Sequence, residues 1–284
     1  MFTKLLKHDS KAILKHWWLG AAACLILALV GGFSYRISLV EYTKYEMVVG
    51  IAEVIHVLTV MGLFLFPLFT SILIIIRYYK HFFTDEGYLT FTLPVRKNTL
   101  LNSKIATAVL FTLGSNLVRF VSLFIILLIG NPKAIGTEDF LMELSPLSYL
   151  ISSAFFGYGS LSEFTKDAGS YAVVCCVLAV LILFVSIVVE ILFIYGCITL
   201  AASLVKKHKV LMAIGIYYGT TSILSVVLTI LSIFGLFSVY DIGEYLNFKI
   251  AALVLCAVLG TMIMVCGALY LLLTALLHKK LNLE

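Results

Sequence analysis

An all-α integral membrane protein with six transmembrane helices is the fold class this sequence of 284 residues predicts. Three observations lead there. Hydrophobic residues make up 62% of the chain and charged residues 12%, against roughly 25% charged in soluble domains, which excludes a soluble enzyme. Apolar runs of the length a bilayer demands, about 20 residues for a hydrocarbon layer of about 30 Å, recur between charged segments. Ten-residue strands of alternating polarity are absent, so helices are what remains to pair every backbone group in lipid. Orientation follows from the bases: 14 of the 20 Lys and Arg fall in the N-terminal stretch, alternate loops and the tail, which predicts both termini in the cytoplasm. The net charge of +5 averages two opposite faces and argues for anionic lipid, not nucleic acid.

The whole chain, 1–284, reads as a single transmembrane domain. Lys4, Lys7, Lys11 and Lys15 recur every three or four residues with Leu5, Leu6, Ile13 and Leu14 between them. Residues 2–16 are therefore expected as an amphipathic helix lying on the inner surface, an elbow into the first span, 17–35. The stretch is too long for the charged region of a cleaved signal peptide, and no small-x-small site follows it. The second span, 48–76, contains Pro67, which frees the Leu63 carbonyl and predicts a kink, either a moving joint or a bend. Near its outer end Glu53 and His56 stand at i and i+3, half of a carboxylate–histidine metal pattern whose other half is missing. A hydrogen-bonded pair is the expectation.

The third span, 105–130, carries Thr112, Ser115, Asn116, Arg119 and Ser122 on one helical face, which cannot look at lipid. An Arg near the bilayer centre costs about 2.5–3.5 kcal/mol on insertion scales, so it needs a partner or a watery cavity. Glu190 in the fourth span, 171–205, lies about 22 Å above the inner end of its span and Arg119 about 21 Å above that of its own. An ion pair between them is expected, as a structural clamp or as part of a substrate path. Between these spans the loop 131–170 is 40 residues long, far above usual connections. Its apolar middle, 147–161, reads as a helix on or in the outer leaflet, either a cap or an exit lid. The fifth span, 210–239, repeats the polar pattern with Tyr218, Ser222, Ser225, Thr229 and Ser232 and adds a GxxxG step at Gly215 and Gly219. That is either close packing through small residues or one wall of a transport path. The sixth span, 250–277, closes the series, and all six cysteines fall in apolar runs, as small hydrophobes do.

The second inner loop reads RYYKHFFTDEGYLTFTLPVRKNTLLNSK, 77–104, with Phe82, Phe83, Tyr88, Leu89, Phe91 and Leu93 expected on its wet side. Aromatic and aliphatic groups beside acids and bases make a protein contact site. Thr84, Asp85 and Glu86 can cap a short helix that Pro94 ends. The string DEGYLTFTLPVRKNTLLNSK, 85–104, after an aromatic and basic run, resembles the permease subunits of type-2 ATP-binding-cassette exporters, especially those of Gram-positive bacteria. Elsewhere the likeness is one of architecture only, and the long third loop departs from it, since such exporters often place external helices between spans five and six. The resemblance implies a multi-pass protein of the bacterial plasma membrane, with no enzymatic activity of its own. It implies a coupling helix in which Phe83, Asp85, Glu86, Gly87, Tyr88, Leu89 and Pro94 dock on a separate ATPase subunit. ATP and magnesium would be bound on that partner, and a second permease chain, identical or different, would complete the pathway.

The residues support one part of this on their own: no G-x-x-x-x-G-K-[ST] occurs, so the chain has no P-loop and no cofactor site of that kind. The rival expectation is an ion-coupled carrier or channel using Arg119, Glu190 and Glu53. The chain shows no internal repeat or paired broken helices of the kind such carriers have. A membrane immunity or sensing protein is a third reading. Candidate pathway groups are Arg119, Glu190, Asn116, Ser115, Ser222, Ser225 and Thr229.

Overall fold

A computed structural model describes residues 2–39, 46–84, 97–130, 170–205, 208–239 and 248–279. Six helices account for nearly all of them: α1 (Phe2–Ser38), α2 (Glu46–Phe83), α3 (Lys97–Gly130), α4 (Ser170–Leu204), α5 (Lys209–Val239) and α6 (Phe248–Lys279). Each is long and apolar enough to cross a membrane, and the described residues contain no strand. Leu58, Leu65, Leu183 and Leu271 are among many large apolar side chains left exposed, as expected where the solvent is lipid. The chain is a multi-pass membrane protein.

The six apolar runs read from the sequence fall on these six helices. Three boundaries differ by more than a turn. Residues 2–16 do not form a separate surface element but run without interruption into the first crossing. Nothing between Phe2 and Trp18 is Gly or Pro, so backbone hydrogen bonding has no reason to stop. In that extension Asp9 and Ile13 are buried while the four lysines are exposed. The loop 77–104 is also shorter than its composition suggests, because α2 continues to Phe83 and α3 already begins at Lys97. At about 1.5 Å per residue, the 38 residues of α2 and 34 of α3 exceed what a bilayer core requires.

The helices divide into two compact units. One comprises Leu6–Ile74 with Leu110–Ala168; the other comprises Met1–Leu5, Ile75–Val109 and Gly169–Glu284. In the first, α1, α2 and α3 meet around Cys24, Ala28, Leu63, Phe66 and Ile126, with Trp17 ringed by Phe66 and Phe111 at centroid distances of 5.6 Å each. Glycines permit the approach. A Cβ on Gly31 would stand 2.7 Å from the Thr59 Cγ2, and one on Gly32 would stand 2.8 Å from the Ile129 Cβ. Gly20, Cys24, Ala28 and Gly32 recur every fourth residue along α1, the small-residue stripe by which helices associate where lipid offers no hydrophobic drive. α2 continues through Pro67. Next to it the Thr70 and Ser71 hydroxyls donate to the Phe66 and Pro67 carbonyls, both at 3.0 Å, local bonding that accompanies a proline in a membrane helix.

In the second unit α4 packs against both α5 and α6. α4 ends at Leu204 and α5 begins at Lys209, and His208, just before α5, has a left-handed conformation with φ 58°.

Candidate functional site

The aromatic run at the end of α2 is organised differently from its appearance in sequence. Tyr78 and Phe82 lie four residues apart, hence on one helical face, and both are fully buried. Tyr78 stacks on Tyr195 of α4 at 3.8 Å between centroids with an interplanar angle of 7°, and its hydroxyl lies 2.9 Å from the Thr199 Oγ1. Thr199 already commits its only hydroxyl proton to the Tyr195 carbonyl at 2.7 Å, so Tyr78 is the donor to Thr199. Phe82 packs on Tyr78 at 4.9 Å. Its expected display on the wet side is therefore corrected: α2 continues past the apolar run, so Phe82 falls one turn beyond Tyr78 on the same buried face. Phe83, one position on, is half-buried and edges Tyr78 at 6.1 Å. Of the expected docking residues Phe83 alone is described; Asp85, Glu86, Gly87, Tyr88, Leu89 and Pro94 lie outside the described residues, as does the loop 131–169.

The start of α3 is fastened in the same unit. The Tyr270 hydroxyl of α6 donates to the Asn102 Oδ1 at 2.9 Å. Both helical stems that flank residues 85–96 are thus tied to distant helices, α2 to α4 and α3 to α6. Sequence reasoning missed these ties, because the partners stand 121 and 168 positions apart.

On α3 the polar face is turned inward as expected. Ser115 and Ser122 are fully buried, and Thr112, Asn116 and Arg119 are half-buried. The Ser115 hydroxyl and the Asn116 amide both donate to the Thr112 carbonyl, at 2.9 and 3.0 Å. The Ser122 hydroxyl has no hydrogen-bond partner among the described residues. Arg119 places its guanidinium carbon 5.2 Å from the centre of the Phe64 ring, a cation–π arrangement. Glu190 is exposed on α4 and belongs to the other unit.

Comparison with protein-family models, with curated proteins and with solved structures gave no match.

The polar side of α5 behaves otherwise. Ser222, Ser225 and Thr229 are exposed, and Ser225 and Thr229 donate to the carbonyls of Ser222 and Ser225 in their own helix, at 2.9 and 2.8 Å. Gly215 and Gly219 have no atom of another element within 4 Å of a built Cβ. Close packing through this GxxxG step is therefore not made within the described chain, whereas the glycines of α1, which the sequence reading passed over, do make it. The four-residue spacing was the available signal. In the N-terminal part of α2, His56 stacks on Tyr35 at 4.8 Å and its Nδ1 lies 3.4 Å from the Gly31 carbonyl. That contact ties α2 to α1, and no cluster of three metal-ligating side chains occurs among the described residues.

Proposed function

We propose that this chain is the permease subunit of an ATP-binding-cassette exporter of the bacterial plasma membrane, paired with a second permease chain and driven by two ATPase subunits that hold ATP and magnesium. The observation that carries the reading is the string 85–104, together with the way its flanks are mounted. A segment that receives force must pass it to rigid elements, since a flexible tether would dissipate the displacement. Tyr78 on one flank and Asn102 on the other offer that rigidity by joining α4 and α6.

In this reading both termini and the segment 77–104 are cytoplasmic, and Phe83, Asp85, Glu86, Gly87, Tyr88, Leu89 and Pro94 grip the ATPase. ATP-driven closure of the partners brings the two coupling segments together. α2 and α3 transmit the movement to α4 and α6, and the paired chains open outward. Arg119, Glu190, Asn116, Ser115, Ser222, Ser225 and Thr229 are the candidate polar groups of the path. Co-expression with an ATPase of the same system tests this. The ATPase should co-purify with the native chain and be lost when Tyr88 and Leu89 are replaced by Asp; retention by that variant, with the chain still monodisperse, removes the docking reading.

One observation favours a second reading. Arg119 sits half-buried within a span, and intramembrane cations often mark ion pathways. Transport by the isolated chain in vesicles, without nucleotide, would replace the exporter with an ion-coupled carrier.

A further inference from the structure

The turn between α4 and α5 borders a cavity of about 500 Å³ lined by Tyr79, His208, Lys209, Val210, Leu211 and Ile214. The chain builds it in a few residues. His208, directly before α5, takes a left-handed backbone, uncommon for residues other than glycine. Its carbonyl accepts from the Met212 amide at 3.1 Å, so His208 caps α5. The amides of Lys209, Val210 and Leu211 consequently have no acceptor within the helix. Those three residues, with the His208 imidazole and the Tyr79 phenol, form the polar end of the cavity. No acid is among the lining residues, and Lys206 and Lys207 precede it in sequence. Exposed Val210, Leu211 and Ile214 form the apolar remainder. Donors and a fixed positive charge thus meet a strip of hydrocarbon at the end of a membrane helix.

We propose that this cavity binds the headgroup of an anionic phospholipid. The phosphate lies against Lys209, His208, Tyr79 and the first amides of α5, and an acyl chain lies along Val210, Leu211 and Ile214. A helix start favours an anion and a nearby ammonium adds to it, while the apolar strip accounts for a tail. Soluble phosphate shares the first half of that chemistry but leaves the second unused. The assignment goes beyond the transport reading and does not require it.

The full chain is reconstituted into nanodiscs of equal parts phosphatidylcholine and phosphatidylglycerol, and native mass spectrometry counts the phosphatidylglycerol retained on the released protein. Wild type should hold one more such lipid than Lys209→Ala, and Lys209→Arg should restore it. Lys15→Ala, which removes the same charge from the exposed side of α1, should change nothing. Leu211→Ser keeps the phosphate contacts and shortens the apolar strip; it should also lose the lipid. Thermal unfolding equal to wild type shows that each variant is folded. Equal retention by wild type and Lys209→Ala overturns the proposal. So does stripping of the lipid by inorganic phosphate with full retention in Leu211→Ser, which would mean an anion site indifferent to the tail.

Discussion

Tyr78 makes four contacts at once: a ring stack on Tyr195, a hydrogen bond to Thr199, a tilted contact with Phe82 and an edge contact with Phe83. They separate experimentally. Tyr78→Phe removes only the hydrogen bond and should lower stability by about 1 kcal/mol. Tyr78→Ala leaves a cavity as well and should cost about 3–5 kcal/mol. Thermal unfolding of the purified chain in detergent measures both, and equal losses would mean that the stack contributes nothing. Arg119 offers a second test at this scale. If it pairs with Glu190, Arg119→Glu and Glu190→Arg should each reduce folded yield and the double variant should recover it. Losses that simply add would remove the pairing. The inward turn of Ser115 and Ser122 was legible in sequence because a three-to-four-residue spacing puts them on one face of a helix that lipid cannot wet. The burial of Phe82 was not, because exposure of an aromatic beyond a span depends on whether the helix continues and on what stands beside it.

Among the elements, α1 and α5 carry similar glycine patterns with opposite consequences. On α1 a methyl group at Gly31 or Gly32 would run into Thr59 or Ile129, both β-branched and stiff. Gly31→Ala and Gly32→Ala should therefore each destabilise by about 1–3 kcal/mol. On α5 a methyl at Gly215 or Gly219 meets open space, and replacing glycine inside a helix raises helix propensity by up to about 1 kcal/mol. Gly215→Ala should leave unfolding of the single chain unchanged or raise it, and destabilisation comparable to that of Gly31→Ala would show a packing partner on α5. The sequence motif is the same in kind; the neighbour decides its sign. A helix periodicity states which residues share a face and does not state which helix, if any, that face meets.

For the molecule as a whole, orientation is the property most open to a direct test. With the native cysteines replaced, a single cysteine at position 208 should react with an impermeant maleimide only after the membrane is opened, and one at position 133 should react in intact cells. The reverse pattern would invert the topology and place the 77–104 segment outside, beyond reach of a cytoplasmic ATPase. The sequence by itself determined that this is a helical membrane protein with six helices long and apolar enough to cross a bilayer. The reason is that lipid imposes one stringent rule, an apolar helix of fixed minimum length with every backbone group paired, and that rule is written locally in the chain. The tertiary structure alone decided that α1 is one unbroken helix from Phe2, that Tyr78 and Asn102 bind the stems flanking residues 85–96 to α4 and α6, and that the glycines of α1 are filled while those of α5 stand open. These depend on contacts between residues 121 and 168 positions apart, or on the absence of such contacts. No local pattern of apolar and polar residues encodes which distant surface a helix will meet.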